Sequence, residues 1–235
     1  MDGFVPAQIS PVPVAILVHG GGWIGGDRVR NVEPLFALLQ ESGFAWFSIS
    51  YTLTRDIGGL GAGVEDVRTA ISFLRQHAAE YQIDAARIFV IGESAGAQLA
   101  ALAVLNEPMP AVRAVVAFYM PSDLEEIARS SRYLEGYAGA IMASPLAGFL
   151  LPKFRDLSPV RKVRPGMPPL LLIHGDQDQL VPFRQSEAMC RAVREAGAKC
   201  DLIAVRGGAH GIRRWEAAGL TGYKKLMIRW ITASA

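Results

Sequence analysis

Cysteine is scarce in this chain of 235 residues, which has two, Cys190 and Cys200. Two cysteines do not form the disulfide framework of a small secreted domain, and their spacing is not that of metal ligands. One falls in a predicted helix and the other at the start of a predicted strand. A disulfide between them is one alternative, but we favour two independent thiols in a reducing compartment.

Net charge is also small, because 24 Lys and Arg residues face 22 Asp and Glu residues and leave +2 at pH 7. The basic clusters are short and scattered along the chain. Nothing in this balance favours a nucleic acid or a membrane surface as a partner, so we expect neither.

Long hydrophobic runs are missing, since none approaches the length of a membrane span. The start, residues 1–6, shows no basic segment followed by an apolar core, as a signal peptide would. We therefore expect a cytoplasmic protein. The length fits one domain, residues 1–235, and the sequence contains no internal repeat and no linker.

Buried strands alternate with helices along the chain. Apolar runs predict strands at residues 14–18, 44–51, 87–91, 112–119, 170–173 and 201–205, and helical spacing predicts helices at residues 32–40, 64–81, 97–105, 184–196 and 215–231. This alternation predicts an α/β fold with a mostly parallel sheet and helices on both faces. Residues 52–63 are predicted to be a glycine-rich loop, and the irregular residues 121–168 a small cap-like insertion.

The pentapeptide Gly92-Glu93-Ser94-Ala95-Gly96 lies between a predicted strand and a predicted helix. A serine on such a sharp strand-to-helix turn is the exposed nucleophile of a nucleophile elbow. Small residues at 92 and 96 let the two backbones pass closely. The helix N-terminus adds unpaired N–H groups and a positive dipole end, which favour developing negative charge. We therefore predict that Ser94 is a nucleophile.

A serine nucleophile needs a base, and the base needs an acid that orients it. After Ser94 the sequence has two histidines, His174 at the end of a strand and His210 in a loop before the last helix. A loop at the carboxyl edge of the sheet is where the base is expected, which favours His210. Asp176 and Asp178 compete as the acid. Asp176 suits capping of the turn after its strand, and we favour Asp178.

A glycine run, His19-Gly20-Gly21-Gly22-Trp23, follows the first predicted strand. Attack on a carbonyl creates an oxyanion, and each preorganised N–H donor to it is typically worth roughly 3 kcal/mol in the transition state. Glycine permits backbone angles and close approaches that a Cβ forbids. The candidates for the oxyanion hole are the N–H groups of Gly21, Gly22 and Ala95, with Trp23 as a wall beside the substrate.

These motifs together resemble a known family. HGGGW at 19–23, GESAG at 92–96, HGDQDQLVP at 174–182 and the late His210 are similar to the hormone-sensitive-lipase-like and feruloyl-esterase-like carboxylesterases of the α/β-hydrolase superfamily. The resemblance runs from about residue 14 to the end of the chain. It implies an α/β-hydrolase fold and a triad of Ser94, Asp178 and His210. It also implies an oxyanion hole of Gly21, Gly22 and Ala95, and no metal or organic cofactor.

The sequence departs from that family in two places. Members usually have two further strands ahead of the run at residues 14–18, and only thirteen residues precede it here. We therefore expect an N-terminally reduced sheet in which residues 44–51 form an apolar edge, covered either by the N-terminal segment or by a homodimer. The loop at residues 52–63 is glycine-rich where members tend to carry prolines, so the family does not predict the shape of the acyl or alcohol pocket here.

The favoured function is a serine carboxylesterase acting on short- to medium-chain carboxylic esters through an acyl-enzyme on Ser94, with a small-molecule ester as its partner. One alternative is an amide hydrolase resembling aryl formamidases. Another is a feruloyl or acetyl esterase acting on plant- or sugar-derived esters. The least favoured alternative is a non-catalytic ligand-binding relative, because the set of site residues is intact and the site, not the fold, decides function.

Overall fold

The computed structural model describes residues 1–7, 11–55, 59–106, 112–130 and 147–234. Within these ranges seven strands form one sheet: β1 (Asp2–Phe4), β2 (Val12–Val18), β3 (Ala45–Ile49), β4 (Ile83–Glu93), β5 (Val112–Phe118), β6 (Leu170–Gly175) and β7 (Cys200–Val205). The α-helices of the same ranges are α1 (Phe36–Glu41), α2 (Leu60–Gln76), α3 (Ala95–Leu105), α4 (Leu124–Ser130), α5 (Ala147–Asp156), α6 (Arg184–Glu195), α7 (Ile212–Ala217) and α8 (Gly222–Ala233).

The strand order across the sheet is β1-β3-β2-β4-β5-β6-β7. β1 runs antiparallel to β3, and every other neighbouring pair is parallel. Helices cover both faces, so the central strands are buried on both sides. This explains their continuous apolar runs in place of alternating polar residues. The predicted mostly parallel α/β sheet is confirmed.

Two apolar clusters lie on opposite faces of the sheet. On β2, Ile16 and Val18 belong to the first cluster with α2, α3 and α6, whereas Ala15 and Leu17 belong to the second with α1, α7 and α8. Successive side chains of a strand point to opposite faces, so one strand serves both clusters. The sheet is therefore packed on both faces, and the loops that follow its strands start from a rigid edge.

The N-terminal edge of the sheet is covered by the chain itself. β1 pairs Gly3 with Phe47 of β3, and the salt bridge between Asp2 and Arg28 (2.6 Å) ties β1 to the body. In the described residues ahead of β2 there is one strand rather than two, as the predicted reduction requires. Of the two expected covers for this edge, the structure shows the N-terminal segment.

Several predicted helix boundaries are wrong, and α2, for example, ends at Gln76 rather than at residue 81. Residues 60–63 are predicted to lie in the glycine-rich loop at residues 52–63, but they belong to α2. Residues 56–58 of that loop lie outside the described residues. The predicted closing helix at residues 215–231 is two helices, α7 and α8. Gly219 lies between them with φ +70°, a left-handed conformation that ends a helix.

Cys190 on α6 and Cys200 at the start of β7 form a disulfide, with their Cα atoms 5.4 Å apart. Both residues are buried. The expectation of two independent thiols is therefore wrong. The turn between α6 and β7 brings together two positions that are ten residues apart in sequence, and spacing alone did not show that contact.

Residues 121–168 contain α4, α5 and a 3₁₀ turn, Pro159–Lys162, while residues 131–146 lie outside the described ranges. α5 is joined to α4 by Arg155, whose guanidinium donates two hydrogen bonds to Glu125 at 2.9 and 3.0 Å. Arg129 donates a third, at 3.1 Å. The hydrogen bonds from Arg155 and Arg129 lower the pKa of Glu125 to about 2.

Among the helices that the structure describes, none combines the length and the hydropathy needed to cross a bilayer.

Candidate active site

Ser94 lies at the turn between β4 and α3 with φ 50° and ψ −120°. This backbone conformation is rare for a residue with a side chain and costs about 1–3 kcal/mol, which the surroundings must offset. The flanking glycines allow the turn. A Cβ on Gly92 would lie 2.6 Å from the Ala97 Cα, and a Cβ on Gly96 would lie 2.3 Å from the Val18 carbonyl oxygen. The predicted close passage of strand and helix is thus confirmed.

His210 lies between Ser94 and Asp178. Its Nε2 is 3.0 Å from the Ser94 Oγ, and its Nδ1 is 2.7 Å from the Asp178 Oδ2. The carboxylate accepts the proton on Nδ1, which leaves Nε2 free to accept the hydroxyl proton of Ser94. This is the geometry in which a histidine can act as a base towards a serine.

The Asp178 carboxylate is buried and hydrogen-bonded on both oxygens. Its Oδ1 accepts the backbone N–H groups of Leu180 and Val181, each at 2.9 Å. Burial raises the pKa of Asp178, but the hydrogen bonds from His174 and His210 and the charge of His210 outweigh it, so the pKa lies well below its usual value. The carboxylate therefore stays ionised and can orient the imidazole.

The structure does not bring the two alternative residues, Asp176 and His174, to Ser94. Asp176 is exposed and accepts the N–H of Gly207 at 2.8 Å, which is the turn-capping role that the sequence suggests for it. His174 is fully buried. It donates from Nε2 to the Val181 carbonyl at 2.9 Å, and the same nitrogen lies 3.3 Å from the Asp178 Oδ2. Its Nδ1 accepts the Ser186 hydroxyl at 2.6 Å.

Gly21, Gly22 and Ala95 line the cavity beside Ser94. In the described part of the chain, none of their three N–H groups donates to a protein acceptor. A Cβ on Gly21 would lie 2.1 Å from the Gly25 carbonyl oxygen, and Gly22 has φ +60°. Glycine is thus required at 21 by space and is favoured at 22 by backbone angle. These free donors can stabilise an oxyanion.

His19 does not line this cavity. It is buried, donates from Nδ1 to the Gly20 carbonyl at 2.7 Å and stacks on Tyr51 with ring centroids 4.4 Å apart. Burial lowers the pKa of His19, which keeps the ring neutral. Its role is structural.

Trp23 lines the cavity and is fixed by a chain of hydrogen bonds. Its indole Nε1 donates to the Gln98 Oε1 at 3.0 Å, and the Gln98 Nε2 donates to the Leu157 carbonyl at 2.8 Å. Trp23 itself has φ +66°, which is uncommon outside glycine. Its ring is therefore held as a rigid wall rather than left as a free surface side chain.

The cavity in front of Ser94 has a volume of about 450 Å³. Sequence reasoning missed several of its apolar walls, because they come from segments far apart in the chain: Pro121, Ile127, Leu180 and Val181. Apolar walls with few polar groups suit a neutral acyl chain.

Glu93 and Tyr119 form a buried network that sequence reasoning also missed. One Glu93 oxygen accepts the Gly20 N–H at 3.0 Å, and the other accepts the Tyr119 hydroxyl at 2.5 Å. The Tyr119 oxygen in turn accepts the Ile212 N–H at 2.9 Å, and its ring centroid lies 4.5 Å from that of His210. Burial and the Glu93 charge raise the pKa of Tyr119, so its hydroxyl keeps the proton that it donates.

This network connects the start of the glycine loop, the serine turn and the histidine loop. One signal in the sequence could have found it. Glu93 is a charged residue that directly follows the apolar run at residues 88–92, and a buried carboxylate needs partners. Its partner Tyr119 had no such signal.

Within the described residues, no group of three or more His, Cys, Asp or Glu side chains is placed to hold a metal ion.

A family model described as BD-FAE matches residues 1–193 of the chain. Among curated proteins, the esterase LipQ of Mycobacterium tuberculosis is 32% identical over 213 residues, which cover 84% of this chain and 49% of LipQ. The esterase LipC of the same organism is 29% identical over 225 residues, covering 89% of this chain and 55% of LipC. The chain thus spans about half the length of these curated relatives.

Among solved structures, a truncated carbohydrate esterase from gut microbiota superposes with a TM-score of 0.79 at 25% identity, covering 99% of this chain and 89% of that one. The likeness extends over almost the whole of both chains. It supports the α/β-hydrolase architecture described above.

Proposed function

Because this chain belongs to the BD-FAE family, we propose that it is a serine carboxylesterase that hydrolyses short- to medium-chain carboxylic esters through an acyl-enzyme on Ser94. The observation that carries the proposal is the alignment of Ser94, His210 and Asp178 through contacts of 3.0 and 2.7 Å. The esterase names of LipQ and of the carbohydrate esterase agree with it.

In the proposed acylation step, the Ser94 Oγ attacks the ester carbonyl carbon while its proton passes to the His210 Nε2. The carbonyl oxygen becomes an oxyanion, which the N–H groups of Gly21, Gly22 and Ala95 stabilise. The tetrahedral intermediate then breaks its bond to the alcohol oxygen. That oxygen takes the proton from His210 as it leaves, and the ionised Asp178 stabilises the imidazolium in between.

Deacylation repeats these steps with water in place of the alcohol. His210 accepts a proton from the water, whose oxygen attacks the acyl carbon, and the released Ser94 oxygen recovers that proton. The mostly apolar cavity of about 450 Å³ supports acyl chains of short to medium length.

The test is hydrolysis of p-nitrophenyl esters from acetate to long acyl chains by the wild type, Ser94→Ala and Ser50→Ala. We expect activity on the short esters and a loss on the order of 10⁴-fold or more in Ser94→Ala. Ser50 is exposed and does not line the cavity, so Ser50→Ala should match the wild type. Equal activity in the wild type and Ser94→Ala would overturn the assignment of the nucleophile.

A second candidate is the removal of acetyl groups from sugar-derived esters, which the likeness to a carbohydrate esterase favours. Acetylated oligosaccharides belong in the same assay series. Aryl formamides test the amide-hydrolase alternative, since turnover of those substrates but not of esters would select it. A non-catalytic binder would turn over none of them.

The architecture also supports two proposals about the whole chain. We propose that residues 1–235 form one domain in which residues 121–168 serve as a small cap, since Pro121 and Ile127 line the cavity. We propose further that the protein is a monomer rather than a homodimer, because β1 already covers the edge of β3.

The cytoplasmic location stays a proposal, and the disulfide between Cys190 and Cys200 is evidence against it, because disulfides are rare in the reducing cytoplasm. Alkylation of the protein in freshly lysed cells, followed by mass spectrometry, decides the point. Two alkylated thiols support the cytoplasm, and an intact disulfide opposes it.

A further inference from the structure

A second cavity, of about 320 Å³, borders His210. It shares Leu180 and His210 with the cavity in front of Ser94, so the two spaces border the same histidine. Its remaining walls are polar or small, in contrast to those of the first cavity: Gln177, Gln179, Ala209 and Arg214. The two cavities therefore suit chemically different parts of one substrate.

We propose that this second cavity binds the alcohol part of the ester and selects alcohols that carry an anionic group such as a carboxylate. The proposal rests on the proposed function, because it needs His210 to protonate the leaving oxygen. The leaving oxygen must then lie next to the His210 Nε2, and the alcohol extends past the imidazole. The acyl part is left in the apolar cavity, between the glycine loop and Trp23.

Arg214 is the charged group that gives this cavity its selectivity. Its side chain is exposed, and in the described part of the chain its guanidinium makes no hydrogen bond or salt bridge with a protein group. The acidic residue Glu216 of the same helix is already bound by Lys224 at 2.8 Å and by the Tyr223 hydroxyl at 3.0 Å. A guanidinium without a partner can bind a carboxylate through two parallel hydrogen bonds.

The backbone that carries Arg214 is held relative to His210. The neighbouring Trp215 is fully buried and donates from its indole Nε1 to the Ala209 carbonyl at 2.5 Å. Two residues before Arg214, the Ile212 N–H donates to the Tyr119 hydroxyl at 2.9 Å. The first turn of α7, which carries Arg214, is therefore held in place relative to His210. The amides of Gln177 and Gln179 add neutral donors to the same cavity.

The experiment compares two acetate esters of nearly the same shape. 4-Acetoxybenzoate carries a carboxylate on its leaving phenol, and 4-acetoxybenzamide carries a neutral amide there. In Arg214→Gln we expect kcat/KM for 4-acetoxybenzoate to fall about five-fold, mainly through KM, at low salt, while kcat/KM for 4-acetoxybenzamide stays within about two-fold. Inhibition of p-nitrophenyl acetate hydrolysis by 4-hydroxybenzoate should weaken about five-fold in the same variant.

Arg213→Gln is the matched control, since Arg213 is the adjacent exposed arginine and does not line the cavity. Monomethyl succinate carries its carboxylate on the acyl part of the ester. It tests whether Arg214 recognises a charge on the alcohol part rather than on the acyl part. The proposal is overturned if kcat/KM for 4-acetoxybenzoate falls as much in Arg213→Gln as in Arg214→Gln. It is also overturned if Arg214→Gln lowers kcat/KM equally for both acetate esters, or lowers it for monomethyl succinate alone. If the wild type cleaves no ester at all, the proposed function itself fails; if it cleaves them all and Arg214→Gln does not discriminate, only this cavity assignment fails.

Discussion

At the scale of single residues, the histidines differ in what surrounds their ring nitrogens. Both nitrogens of the buried His174 have partners other than Ser94: Nδ1 accepts the Ser186 hydroxyl, and Nε2 donates to the Val181 carbonyl and lies 3.3 Å from Asp178. His210 has one nitrogen held by Asp178 and the other facing the Ser94 hydroxyl. The sequence shows two histidines after Ser94, and only their surroundings decide which one can move a proton.

The choice of acid can be tested with the pair Asp178→Asn and Asp176→Asn. Asp178→Asn removes the charge that orients His210, so we expect kcat to fall roughly 10³- to 10⁴-fold. Asp176→Asn removes a charge at the surface but keeps an oxygen that can accept the Gly207 N–H, so it should stay within about two-fold of the wild type. Esterase kinetics on p-nitrophenyl acetate measure both. A larger loss in Asp176→Asn would reverse the assignment.

The network around Glu93 predicts a loss in Tyr119→Phe. That change removes the hydroxyl that donates to Glu93 and accepts from the Ile212 N–H, and each buried group left without a partner costs about 1–3 kcal/mol. We expect lower stability in urea and a kcat lowered roughly ten-fold or more with little change in KM, because the loops that hold the reacting groups shift.

Tyr223→Phe is the control for that prediction. Tyr223 is also buried, and its hydroxyl donates to Glu216 away from the cavity. It should lose stability without the loss of kcat. If Tyr119→Phe behaves in the same way, the network is structural only.

At the scale of elements, an ion pair between Arg155 and Glu125 joins α5 to α4. The Arg155 guanidinium contacts both oxygens of Glu125, whose pKa is about 2. Since α4 also supplies Ile127 to the cavity, this contact holds one border of the site in place.

This contact predicts acid sensitivity. The folded-state pKa of Glu125, about 2, lies below its ordinary value of 4.5. Its stabilising effect is therefore complete above pH 4.5 and is lost as the pH falls towards 2. The difference in urea midpoint between the wild type and Glu125→Gln should shrink across this window. A difference that stays constant from pH 6 to pH 2 would contradict the assignment.

At the scale of the whole molecule, the parallel sheet assembles the site. The glycine loop follows β2, the serine turn follows β4, Asp178 follows β6 and His210 follows β7, so all four reach the carboxyl edge of one sheet. β1 adds no site residue, but it covers the edge that β3 would otherwise expose.

Deleting residues 1–5 should therefore change the oligomeric state. The backbone of residues 46–48 loses its partner strand, and an uncovered apolar edge pairs with another copy. Sedimentation velocity should show a monomer for the wild type and larger species for the deletion. Asp2→Asn, which removes the salt bridge to Arg28 but keeps β1, should remain monomeric. A dimeric wild type, or a monomeric deletion, would contradict this reading of the edge.

The local chemistry of this protein can be predicted from its sequence. Gly92, Ser94 and Gly96 between an apolar run and an alanine-rich helix define a strained turn, and the alternation of strands and helices defines a parallel sheet, because both depend on neighbours in the chain. Contacts between residues that are not neighbours in the chain are seen only in the folded protein: Tyr119 with Glu93, Arg214 beside the second cavity, and Cys190 with Cys200. Those contacts depend on strand order and loop path, which residue spacing does not encode.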